Sequence, residues 1–96
     1  MNPPRLFYVR ASPHARERAR ERFPGYKAAR ISDEVRAAFA EGRVSSRVPY
    51  GIHVEGLDPD CWYAWTEDGI RVFVLALNEF SNGKDIAVVT VLKAER

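Results

Sequence analysis

His14, Arg18 and Arg22 recur at every fourth position of one arginine-rich stretch, and Arg71 stands inside a later apolar run. Those residue types suit one kind of chemistry. A histidine titrates near neutrality and can take or give a proton, while an arginine holds a phosphate through a rigid fork of donors. Cleavage of an RNA strand without a metal asks for that combination. The 2′-hydroxyl attacks the adjacent phosphorus, a base removes its proton, an acid serves the leaving oxygen, and cations stabilise charge on the phosphate oxygens. His14, Arg18 and Arg71 are therefore the candidate catalytic residues. Arg16, Arg20, Arg22, Lys27 and Arg30 are candidate nucleic-acid-binding cations, and tyrosine or tryptophan is available to stack a base.

Each of these residues also has a purely structural use. His14 in a first helical turn can serve as a local hydrogen-bonding group. Arg18 and Arg22, if they border a helix–sheet seam, can snorkel and pair with Glu67, Asp68 or a carbonyl. Arg71 in a central strand needs a partner or an anion wherever its face is covered. Other chemistries find less support. His14 and His53 lie far apart with no third ligand nearby, so no metal is expected, and neither a glycine-rich phosphate loop nor a nucleophile elbow points to a cofactor. The single Cys61 forms no internal disulfide, which fits a reducing, cytoplasmic setting.

The elements that must position these residues are readable in turn. Ser12-Pro13 is a helix entry pair and Pro24-Gly25 a stop, so Ser12 to Phe23 is predicted as a helix. Advancing 100° per residue places Ala15, Ala19 and Phe23 on a narrow apolar stripe with Arg18 and Arg22 along its edge. A second helix of about ten residues, Asp33 to Glu41, is expected behind an N-cap at Ser32, with Val35, Ala38 and Phe39 as its stripe and Gly42 as its end. Arg5 to Arg10 reads as a first strand, Arg43 to Val48 as a polar edge strand and Ile52 to Val54 as a short one. Asp68-Gly69 and Asn82-Gly83 are type I′ signals that join Cys61–Glu67, Ile70–Leu77 and Asp85–Lys93 into two hairpins, with Ile70–Leu77 central.

Two-residue turns fix a register in which Phe73 faces Ala64 and Leu92, and Leu75 faces Trp62 and Thr90. Both sheet faces then come out largely apolar. The helices are assigned to the aliphatic face of Val72, Val74, Val89 and Val91, which leaves Trp62, Phe73, Leu75 and Leu92 as a candidate partner-binding surface for a second copy, another protein or a ligand. The fold class expected is α+β, β-α-α-β-β-β, an antiparallel sheet packed by two helices on one face. At 96 residues, residues 1 to 96 form a single domain, and no apolar run reaches membrane-spanning length. A net charge of +2 conceals an asymmetry, because residues 1–48 carry eleven Lys or Arg against five Asp or Glu. A basic half suggests an anionic partner, of which nucleic acid is the commonest, and the same pattern is equally open to pairing one half of the fold with the other.

The order of a strand, H-A-R-E-R-A-R-E-R-F, I-S-D-E-V-R-A-A-F-A-E-G-R-V and closing I-A-V-V-T-V-L resembles small bacterial and phage domains of unknown function. Their pattern is His-x3-Arg-x3-Arg, then Ile-Ser, a helix ending in Gly and a final Val-Thr-Val strand, and they are similar in fold to the BrnT and RelE type ribonuclease toxins of toxin–antitoxin systems. His14, Arg18 and Arg22 occupy the pattern positions, Ile31-Ser32 open the second helix, and Val89-Thr90-Val91 matches the last strand. The resemblance implies a RelE/BrnT-like fold, a metal-independent endoribonuclease acting on RNA or the ribosome, and an antitoxin-like protein partner. The alternatives are a non-enzymatic, phage-derived protein that binds a host protein or nucleic acid through the sheet, and a dimeric structural module.

Overall fold

The computed structural model describes residues 8–49, 52, 61–78 and 85–94. They form an α+β unit in which β1 (Tyr8–Ala11), α1 (Pro13–Arg22), a 3-10 turn (Ala28–Arg30) and α2 (Ile31–Ala40) precede β2 (Val44–Ser45), β3 (Trp62–Trp65), β4 (Arg71–Asn78) and β5 (Asp85–Lys93). The five strands make one sheet in the order β1-β5-β4-β3-β2, with β4 in the middle as expected. The sheet is mixed and not antiparallel throughout as expected, because β1 runs parallel to β5 while the other pairs among the described residues are antiparallel. A helical excursion returns the chain to the sheet in either direction, whereas the tight hairpins enforce antiparallel pairing. Of the expected elements, residues 5–7, His53 and Val54, and Asn82-Gly83 lie outside the described residues.

α1 begins as its sequence dictates. Ser12 is extended at the N-cap, its Oγ accepts from the Ala15 N–H at 3.0 Å, and Pro13 takes the first helical position. Beyond Phe23, Gly25 turns the chain with a φ of 84°, a conformation only glycine adopts cheaply. α2 starts earlier than Ser32 would place it. The 3-10 turn runs directly into Ile31, so Arg30 stands at the N-cap without a side-chain bond and Ser32 lies inside the first turn. Asp33 and Glu34 still occupy the positive end of the helix. The edge strand expected over 43–48 shrinks to Val44–Ser45.

The β3–β4 register is the one set by alternation, with Tyr63 opposite Val74 and Ala64 opposite Phe73. Its turn is built differently from a type I′ hairpin. Gly69, at a φ of 73°, donates its N–H to the Thr66 carbonyl at 2.8 Å, so that Glu67 and Asp68 are the central residues. Side chains hold that geometry, since the Thr66 hydroxyl donates to Asp68 Oδ1, which also accepts from the Ile70 N–H at 3.0 Å.

The β4–β5 register differs from expectation. Phe73 faces Val91 and not Leu92, and Leu75 faces Val88 and not Thr90, with an irregularity between Val74 and Leu75 that leaves Val89 with no residue opposite. A bulge of this kind puts two residues against one and reverses the inside–outside phase on one strand. Val91 accordingly joins the core beneath the helices, while Val89 packs on the other side.

That phase change accompanies a larger correction. The helices cover the face of Ala64, Phe73, Leu75, Ile86 and Val88, where Ala15, Ala19, Ile31, Val35 and Ala38 complete the core. Small alanines bring α1 close to the sheet, and Phe73 and Leu75 supply the bulk that fills the gap. Both are fully buried, so neither belongs to an open partner-binding surface. Leu92 packs instead with Cys61, Tyr63, Val72 and Val74 in a second buried cluster, and of the four residues assigned to that surface only Trp62 is exposed. No helix among the described residues is long and apolar enough to cross a membrane.

Candidate functional site

α1 lies along β5 and is tied to it at both ends. β1 pairs with β5 only as far as Val88. Past that point α1 provides donors: the Ser12 N–H bonds the Val88 carbonyl at 3.0 Å, the Ser12 hydroxyl the Val89 carbonyl at 3.3 Å, and Arg22 Nη1 the Val91 carbonyl at 2.7 Å. Arg22 is thus a strand-capping residue in the helix–sheet seam. Arg18 turns along the helix and pairs with Glu21 at 2.6 Å. His14 is exposed on the first turn.

Arg71 sits at the other end of the assembly, and its surroundings are the most elaborate polar cluster among the described residues. Its Nη1 meets both carboxylate oxygens of Glu34, at 3.0 and 2.8 Å, joining β4 to α2. The guanidinium carbon lies 4.0 Å from the centre of the Tyr26 ring and 4.5 Å from that of Phe23. Aromatic faces are negative, so both rings add to the attraction of Glu34 for the cation. The two side chains of the ion pair are only 22% and 15% exposed, which places the pair in a partly dry environment. Arg71 Nε has no hydrogen-bond partner there, and the Tyr26 hydroxyl lies beside the Glu34 carboxylate outside good hydrogen-bond geometry. Burial, and then the neighbouring Glu34 carboxylate, raise the Tyr26 pKa well above its ordinary value, since both disfavour a phenolate.

This geometry separates the three candidate catalytic residues. At about 1.5 Å of rise per residue, His14 and Phe23 stand roughly 14 Å apart along α1, and Arg71 packs on Phe23. His14 and Arg18 share a helix face at i,i+4 spacing, whereas Arg71 is committed to Glu34. In the sequence Glu34 reads only as a helix-start acid and Tyr26 stands in a linker without periodicity, so neither is marked as a site residue. The signal available was Arg71 itself, an arginine in a covered central strand that requires a counter-charge.

The basic residues of α1 and the following turn behave differently. Arg16, Arg20, Lys27 and Arg30 are all exposed, and none makes an ion pair among the described residues. Arg16 and Arg20 lie one turn apart on α1, and Lys27 and Arg30 flank the 3-10 turn that follows it. Arg30 also borders an open groove of about 470 Å³ whose other lining residues are Glu34, Thr66, Glu67, Asp68 and Arg71. No group of three or more histidine, cysteine or carboxylate side chains suited to a metal occurs among the described residues. Comparison of the chain with family models, with curated proteins and with solved structures gives no match.

Proposed function

We propose that this protein is RNA-directed and binds the backbone of a single strand on the outer face of α1 and the Lys27–Arg30 turn. The observation that carries the reading is the set of exposed cations Arg16, Arg20, Lys27 and Arg30, supplied by consecutive elements and without an ion pair among the described residues. Exposed cations not engaged in an ion pair gain from phosphate, because each contact releases condensed counterions from the nucleic acid. The resemblance to BrnT and RelE type toxins supports the same target class, and the α+β class it implies is the one observed.

A second reading, RNA cleavage, is favoured by His14 and Arg18 standing one turn apart on a single face. In it His14 serves as the proton-transfer group and Arg18, released from Glu21, takes the phosphate, while Arg71 stays structural.

Incubating the purified chain with end-labelled single-stranded RNA, and following both retention and length, separates the two readings. The expected result is retained, intact RNA. Shortening of the RNA that disappears in His14→Ala would replace binding by cleavage as the function. An absence of retention even at low salt would overturn both.

A further inference from the structure

We infer that the groove beside Arg30 is a base-reading pocket for guanine, an assignment that rests on the RNA-directed reading and gives it sequence preference. One wall comes from the 3-10 turn and α2, through Arg30 and Glu34, and the other from the β3–β4 turn, through Thr66, Glu67 and Asp68. Arg71 links the walls, by its ion pair to Glu34 and by its backbone N–H to Thr66 Oγ1 at 3.3 Å. The volume of about 470 Å³ falls within the usual range for small-molecule sites, roughly 300 to 1,000 Å³.

Internal bonding already occupies most of the polar lining. Glu34 holds Arg71, and Asp68 accepts from Thr66 and Ile70. What remains is one guanidinium and one carboxylate, Arg30 and Glu67, each exposed and each without a side-chain partner among the described residues. A ligand that satisfies both presents two acceptors on one edge and two donors on another. Guanine is the base with that arrangement. Its O6 and N7 match an arginine fork, and its N1–H and N2–H2 match the two oxygens of a carboxylate, an edge open to proteins when the base is unstacked in a single strand. Adenine and cytosine each offer one exocyclic amine, and uracil a single ring N–H. Arg30 belongs both to the groove and to the cationic surface of α1 and the linker, so a strand bound on that surface passes the pocket mouth.

The test uses oligouridine decamers with a single central guanine, adenine or cytosine, and an all-uridine control, titrated against the full chain by fluorescence anisotropy. The guanine decamer is expected to bind about tenfold more tightly than the other three, and Glu67→Gln, a change at an exposed turn residue with no described bond, is expected to erase that preference while leaving uridine binding unchanged. Equal affinity for all four decamers would overturn the pocket and leave the backbone-binding reading standing. If no decamer binds, the RNA reading fails, and guanosine monophosphate followed by NMR decides the pocket separately. Shifts at residues 30 and 67 that Glu67→Gln abolishes would sustain it, and their absence would overturn it.

Discussion

Arg71 shows how an apparent catalytic residue can be a structural one. Its charge is balanced by Glu34 and flanked by two aromatic faces, so removing it strands a carboxylate that is mostly out of water. Losing one partner of such a pair typically costs about 3 kcal/mol or more, while replacing both by apolar groups is often close to neutral. Arg71→Met is therefore expected to lower stability by about 3 kcal/mol in denaturant unfolding, and Arg71→Met with Glu34→Leu to recover most of the loss. Equal losses in the single and double variants would show that the stranded carboxylate is not the source of the loss and would place it in the contacts of Arg71 with Phe23 and Tyr26. Tyr26 yields a prediction of opposite character. Its hydroxyl is buried beside Glu34 without a bond of good geometry, so Tyr26→Phe is expected to change stability little at pH 7. A pKa raised on folding means that the native state holds the proton more tightly, which gives stability present below the ordinary value near 10 and lost as pH rises past it. Tyr63, raised by its own burial, contributes in the same direction in both proteins. The readout is thus the difference: above about pH 10 the wild type should lose stability faster than Tyr26→Phe, and parallel curves would contradict the assignment.

At the scale of elements, α1 is held at its N-terminus by a residue with two tasks, since Ser12 caps the helix and also donates to Val89. Ser12→Ala is expected to cost about 1 to 2 kcal/mol, the upper part of the usual capping range, because the strand carbonyl loses its donor as well. A melting temperature unchanged by that substitution would show that the cap is dispensable. The limits of α1, the central place of β4 and the span of β5 were legible in the sequence because local chemistry determines them, through a serine–proline entry, a proline–glycine stop and period-two alternation. The covered sheet face was not. That choice depends on how two helices fill volume over Phe73 and Leu75, and on a bulge at Val89 that no turn residue announces. The parallel placement of β1 was likewise illegible, because it depends on where a helical excursion lands. The candidate site divides in the same way. Exposed cations on α1 were visible from composition and angle, while the Arg71–Glu34–Tyr26 cluster required a contact across 37 sequence positions.

Taken whole, the described residues are built around a central strand buried on both sides, with helices over one face, a second apolar cluster on the other, and a set of exposed cations along α1 and the turn after it. Function in this reading resides on the helical side and not on the sheet. The central claim is that Arg16, Arg20, Lys27 and Arg30 neutralise phosphates, and its direct measure is the salt dependence of RNA binding. For a single strand, the logarithm of affinity falls against the logarithm of salt with a slope of about −0.7 for each phosphate neutralised. Anisotropy titrations of an oligouridine decamer between about 50 and 200 mM salt should give a steep slope for the wild type. The Arg16→Ala/Arg20→Ala protein should show weaker binding and a slope shallower by roughly one to two units. An identical slope in the two proteins, or binding by the wild type that barely changes with salt, would contradict the assignment of this surface.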